Sequence, residues 1–285
     1  MRGDGLIDWL ANLSLIGVVL FVFLSMLLVA LASHGARTLV RKIAARGDED
    51  HSQEGYLVGS MLGVLALLMA FSFSMALDRY EERRHLVIQE ANAIGTSYLR
   101  AQLLDEPHRS RLSRLLIAYT DNRVALGTGQ HAGLDRQLEL NDKLLTDIWA
   151  AVMAARDSAA LHGISTPMLM TYNEVIDLDT ERKVARQVRV PAPVMLLLYG
   201  FLLLTAAVLG YVIEERRARL GAFVLFLLLA LYVSVIADLN RPASGNIQES
   251  QDAMLMLQRS LRSQPPQAFD HFVSATSPAK PSDAR

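Results

Sequence analysis

The residues whose types and spacing bear on chemistry lie mostly in one charge-free stretch, Gly55 to Leu77. Projected on an ideal helix at about 100° per residue, Ser60, Val64, Leu67, Phe71, Met75 and Asp78 fall on one narrow face. What such a face offers is physical rather than covalent. Leu67, Phe71 and Met75, repeated around a ring of copies, form a candidate pore neck, an apolar constriction that stops ions by dewetting. The plainer reading is that the stripe faces lipid or a neighbouring helix. About a quarter-turn or more away lie Gly59, Gly63, Ala66 and Ala70, a helix-packing row of small residues. Small residues let helices approach closely in lipid, where apolar burial gives no net drive to association.

Covalent chemistry has little to work with. The chain has no Gly-rich phosphate loop after a strand, no His-Glu-x-x-His and no acidic calcium loop. Its seven histidines are scattered, with no pair at ligand spacing on one helix, and His85, His108 and His162 read as solvated polar residues. With no cysteine there are no disulfides, thiolate metal sites or cysteine nucleophiles. The expectation is a protein that is not an enzyme and takes no cofactor.

The elements that must position these residues follow from the distribution of charge. Four stretches carry no charged side chain: Trp9–Ser33, Gly55–Leu77, Val190–Ile213 and Leu220–Ala237. Crossing the hydrocarbon core takes roughly 20 apolar helical residues, and backbone groups in lipid must be satisfied within the segment. The four stretches therefore read as transmembrane helices over 9–33, 55–77, 190–213 and 220–238. The first is too long for the apolar core of a secretory leader, and Asp4 and Asp8 lie ahead of it.

Between Asp78 and Arg189 the chain is polar and rich in helical periodicity. No strand pattern recurs. The expected fold is all-α: a four-helix transmembrane protein with a large helical extramembrane domain, 78–189, inserted between spans 2 and 3. The second span continues without a breaker to about Leu104. Asp105 offers an N-cap for a helix through about Leu126, and a third helix runs from about Leu134 to Ala155. Thr166-Pro167 opens a fourth that reaches Arg189. Residues 34–54 form a connecting loop, and Glu214–Arg219 a tight turn between spans 3 and 4. After the membrane come a segment over 239–263, with a short helix from about Ser250 to Leu261, and a Pro/Ser/Ala-rich tail over 264–285 that reads as disordered. Basic residues flank the spans on both sides, so the positive-inside rule leaves orientation open.

The stretch GSMLGVLALLMAFSFSMALDRYEERRHLVIQEANAIGTSYLR, Gly59 to Arg100, resembles a bacterial membrane-protein family of unknown function described as bestrophin-like. It carries Asp78, Arg79, Tyr80, Arg84, Glu90 and Asn92. The end of the fourth span, Asp238-Leu239-Asn240-Arg241-Pro242-Ala243-Ser244-Gly245, resembles the same family. The family is distantly similar to the bestrophins, pentameric anion channels. In bacterial bestrophins an apolar span ends in a Phe, followed by an Asp-Arg-aromatic group and a further Arg at the spacings of Phe71, Asp78, Arg79, Tyr80 and Arg84. A Pro-x-Pro precedes their third span, like Pro191-Ala192-Pro193. Their Asp-Pro-Phe-Gly after the fourth span is represented only by Arg241-Pro242-Ala243-Ser244-Gly245, and the residues after Phe71 also differ. The resemblance implies a neck at Phe71, a homo-oligomer (a pentamer if the kinship is full), and a place in the bacterial inner membrane. It also puts the termini and large domain in the cytoplasm, whereas the basic density of the short loops points the other way. The partners implied are the lipid bilayer and further copies, with no nucleic acid. The competing reading is a membrane-anchored helical interaction protein that transports nothing.

Overall fold

The computed structural model describes residues 14–44, 52–128, 133–242 and 245–270. All regular structure among the described residues is helical: α1 (Leu15–Ala44), α2 (Ser52–Ala101), α3 (His108–Thr128), α4 (Leu134–Ala154), α5 (Arg156–Leu161), α6 (Ser165–Ala185), α7 (Ala192–Val212), α8 (Arg216–Leu239), α9 (Asp252–Ser263) and a 3-10 turn at Pro266–Phe269. Two compact units divide the chain. One comprises Met1–Glu81 with Arg186–Gln248, the other Glu82–Ala185 with Glu249–Arg285.

In the first unit, α1, α7, α8 and the leading part of α2 are long and apolar enough to cross a membrane. Their shared core includes Val22, Met26, Leu65, Met69, Leu202, Ala206, Phe226 and Ala230. α1 and α7 cross closely at Ala30 and Gly210. A Cβ on Gly210 would stand 2.6 Å from Ala30 Cα and overlap the Ala30 carbonyl, so only glycine permits this approach. Aromatic pairs add contact: Phe23 meets Phe223 edge-on at 5.0 Å, and Phe73 meets Tyr232 at 5.8 Å. Arg37 is buried and closes the end of α7. It donates to the carbonyls of Tyr211 (2.6 Å) and Val212 (3.0 Å) and pairs with Glu214 at 3.0 Å. These carbonyls are among the acceptors that a helix C-terminus leaves without partners.

The second unit packs α3, α4, α6 and α9 with the trailing part of α2. Its core contains Leu86, Ile94, Tyr98, Leu112, Leu116, Tyr119, Ile148, Met168, Tyr172, Val175 and Met254. The segment after Gln248 is fastened along this unit. Arg83 donates to Glu249 at 2.6 Å, Gln258 and Arg262 to Asp121 at 2.7 and 2.8 Å, and the Tyr98 hydroxyl to the Gln264 carbonyl at 2.7 Å.

Several boundaries differ from those expected. α8 begins at Arg216, so Arg216, Arg217 and Arg219 form its first turns instead of a loop. Arginines tolerate this because their long stems let the charged ends remain solvated. α6 ends at Ala185, short of Arg189. Asp105 is not a side-chain cap. Its carbonyl accepts from His108 and Arg109 while its carboxylate accepts from the Ser158 hydroxyl, and Glu106 reaches the Ser110 N–H instead. His162 is not simply solvated, since its Nε2 lies 3.2 Å from both Asp105 oxygens. Part of the tail is ordered: Pro266–Phe269 is a 3-10 turn, and Phe269 lies edge-on to Tyr98. The expected loop 34–54 is helical where it is described, since α1 runs on to Ala44 and α2 starts at Ser52; residues 9–13 of the first span, 45–51, 129–132, Ala243, Ser244 and tail residues 271–285 lie outside the described residues.

Candidate functional site

α2 runs for 50 residues, about 75 Å at 1.5 Å per residue. The hydrocarbon core takes about 30 Å, close to the length of the charge-free Gly55–Leu77, and the helix continues well beyond it. Within the charge-free part, Leu65, Met69, Ser72 and Ala76 are the buried residues, directed at the core of the first unit. The opposite side is uncovered. Val64, Leu67 and Phe71 are 45%, 56% and 61% exposed, with Ser60 and Asp78 exposed on the same stripe. Met75 differs from its stripe-mates: it is half-buried and packs against that core. Gly59, Gly63, Ala66 and Ala70 are exposed as well. A Cβ at Gly59 or Gly63 would meet nothing within 4 Å, so among the described residues no helix is packed against these two glycines. A tight crossing at a small residue occurs instead at Gly210, which the spacing of small residues in the second span did not indicate.

The residues shared with the family resemblance divide between surface and interior. Arg84 and Asn92 are exposed, Arg79 and Tyr80 half-buried, and Tyr80 packs against the core of the first unit. Asp238, Arg241 and Pro242 belong to a clasp after α8. Asp238 is 2% exposed, and its two oxygens accept the N–H groups of Asn246 (2.8 Å) and Ile247 (2.9 Å). A buried carboxylate needs such donors to offset its lost hydration. The Gly245 N–H donates to the Arg241 carbonyl at 3.0 Å. A Cβ on Gly245 would stand 2.7 Å from the carbonyl oxygens of both Asp238 and Arg241, which excludes any larger residue. Asn240 completes the clasp by accepting the Val190 N–H at 2.7 Å, tying the approach to α7 to the end of α8.

Glu90 is at the centre of a buried ionic network in the second unit, which the sequence reading missed. It is fully buried on α2, and accepts from the Tyr119 hydroxyl at 2.7 Å, from Arg123 Nη2 at 3.2 Å, and from Arg182 Nη1. Arg123 continues to Asp179 at 3.1 Å, Asn141 donates to the same Asp179 oxygen at 2.9 Å, and Lys183 reaches Asp179 at 2.8 Å and Asp142 at 2.6 Å. Burial disfavours charge on Glu90, but Arg123, Arg182 and the Tyr119 hydroxyl outweigh it and hold its carboxyl below the usual glutamate range. Burial, with Glu90 adjacent, pushes the Tyr119 phenol well above its ordinary value. The charges compensate one another, and the network joins α2, α3, α4 and α6. A signal existed: Glu90, Arg123 and Arg182 each fall within the apolar stripe of their helix, where solvated charges do not belong. Among the described residues no group of three or more His, Asp or Glu side chains is placed to hold a metal ion.

Comparison with solved structures finds bacterial bestrophin homologues from Klebsiella pneumoniae. A form carrying a tyrosine-to-alanine mutation matches with a TM-score of 0.65 at 16% identity, over 86% of this chain and 98% of the other. A tryptophan-to-alanine form gives 0.62 at 16% identity over 88% and 98%, and an aspartate-to-alanine form 0.56 at 15% over 86% and 98%. At this identity the likeness is one of fold. The sequence matches no curated protein. The model of the Bestrophin-like domain, however, matches residues 24–254, most of the length and every element from the middle of α1 into α9, and on that ground this chain belongs to the bestrophin-like family.

Proposed function

We propose that copies of this chain assemble side by side in the bacterial inner membrane into a ring, and that their second spans line an ion-conducting pore. The pore neck is Phe71, with Leu67 on the turn before it and Met75 at its edge. The helices outside the spans form an extramembrane domain inserted between spans 2 and 3. One observation carries the reading: Gly59 and Gly63 meet nothing within 4 Å among the described residues and Ala66 and Ala70 are exposed, beside an uncovered Val64, Leu67 and Phe71. A small row is suited to close approach by another helix, and the nearest supplier is a second copy. Kinship with the bestrophins supports an anion as the permeant ion, a pentamer as the assembly, and termini and domain in the cytoplasm.

Purified protein reconstituted in liposomes is expected to conduct halide, and Phe71→Ala to raise the flux by removing an apolar barrier. A strictly monomeric protein that passes no halide overturns the proposal. The second reading, a membrane-anchored interaction protein, has its support in a second unit with its own core and a charge network closed on itself. It predicts no flux in any oligomer and a protein partner retained only while that unit is intact.

A further inference from the structure

The first unit contains a groove of about 230 Å³ between α1, α7 and α8, away from the exposed face of α2. Its walls are Leu27 and Leu31 from α1, with Phe223 and Phe226 from α8. Gly210 and Ala30 line it too, where α1 and α7 approach closely. From the level of Leu27 to that of His34 it extends about 10 Å along α1. The polar groups gather at one end, where His34 and Arg219 line it. His34 Nδ1 is buried with no hydrogen-bond partner among the described residues. Arg219 donates through Nε and Nη2 to the Glu214 carbonyl, at 3.3 and 2.7 Å, and its Nη1 has no partner among the described residues. The surroundings of that end are basic: Arg37, Arg216, Arg217 and Arg219 against Glu214 and Glu215, with Glu214 already paired to Arg37.

The geometry points to a binding site for an anionic phospholipid, one acyl chain lying in the groove and its phosphate received by Arg219 and His34. The apolar walls fit a hydrocarbon chain, the polar end sits where a span leaves the hydrocarbon, and the excess of arginine selects a headgroup with net negative charge. Arg219 has one guanidinium nitrogen for a phosphate oxygen, a charge-assisted bond of the stronger kind. The site does not depend on a pore. A protein that conducts nothing would still have it.

The test is native mass spectrometry of the full-length protein, delipidated in detergent and titrated with phosphatidylglycerol, phosphatidylcholine or glycerol phosphate alone. Phosphatidylglycerol is expected to be retained in preference to phosphatidylcholine, and glycerol phosphate not to be retained. Arg219→Gln is expected to weaken phosphatidylglycerol retention about tenfold, the equivalent of one charge-assisted hydrogen bond, and Arg219→Lys to restore most of it. Leu31→Trp, at an exposed position on the groove wall, is expected to block the chain and weaken retention without changing the oligomeric mass. Equal retention of the two lipids overturns the proposal, as does unchanged retention in both Arg219→Gln and Leu31→Trp. A changed oligomeric mass in Leu31→Trp with phosphatidylglycerol still bound also overturns it, assigning the groove to a second copy of the chain.

Discussion

Glu90 shows what one side chain costs and secures here. A carboxylate removed from water is unfavourable unless its partners replace the lost hydration. Here a phenol and two guanidinium groups replace it, at 2.7 Å from Tyr119 and 3.2 Å from Arg123, with Arg182 alongside. Glu90→Gln would leave two buried arginines facing one carboxylate fewer. Breaking a buried pair of this kind costs about 3–5 kcal/mol, and a lowered melting temperature with early proteolysis of the second unit is the expected result. The pH dependence has a definite sign. Because the folded state holds the Glu90 carboxyl below its ordinary value, its contribution is complete above that ordinary value. It is lost as pH falls through the depressed one. Acid melts are therefore expected to show a loss of stability that Glu90→Gln flattens.

At the scale of the element, two kinds of glycine on the spans invite opposite outcomes. Gly210 presses on Ala30, and Gly210→Leu has to separate α1 from α7; it is expected to reduce the yield of folded protein and its melting temperature. Gly63 faces open space in its own chain. Gly63→Leu is expected to leave the melting of the single chain within about 0.5 kcal/mol while shifting the assembled species toward smaller mass in light scattering. The difference also shows what the sequence could and could not disclose. The spans were legible because a charge-free run of sufficient length has one use in a helix, and the unbroken run through Gly95 announced α2. A stripe of small residues states only that there is room for an approach; which of Gly59, Gly63 or Gly210 meets a neighbour depends on how the helices cross. The start of α8 was hidden because arginine is at home both in a loop and in a solvated first turn. Glu90, Arg123, Asn141 and Asp179 come from four helices far apart in sequence: position on an apolar stripe marks a charge as buried, but not which of the others it meets.

For the molecule as a whole, the order of elements along the chain differs from their grouping in space. The second unit takes its core from Glu82–Ala185, then the chain supplies α7 and α8 to the first unit, and only afterwards returns with Glu249, Met254 and Leu261. Deletion after Gln248 would remove the Glu249 carboxylate that pairs with the buried Arg83 and uncover the surface that Met254 and Leu261 seal. Such a truncated chain is expected to insert its four spans yet present a protease-sensitive second unit, read by limited proteolysis of membranes. Synthesis adds a consequence of its own. While the ribosome is still making α7 and α8, residues 82–185 are already translated but lack their last wall, so this unit waits, incomplete, until both later spans have left the ribosome. The closing contacts of Met254 and Leu261 thus act as a completion mark: the second unit reaches its full stability only in a chain whose membrane segments have all been made.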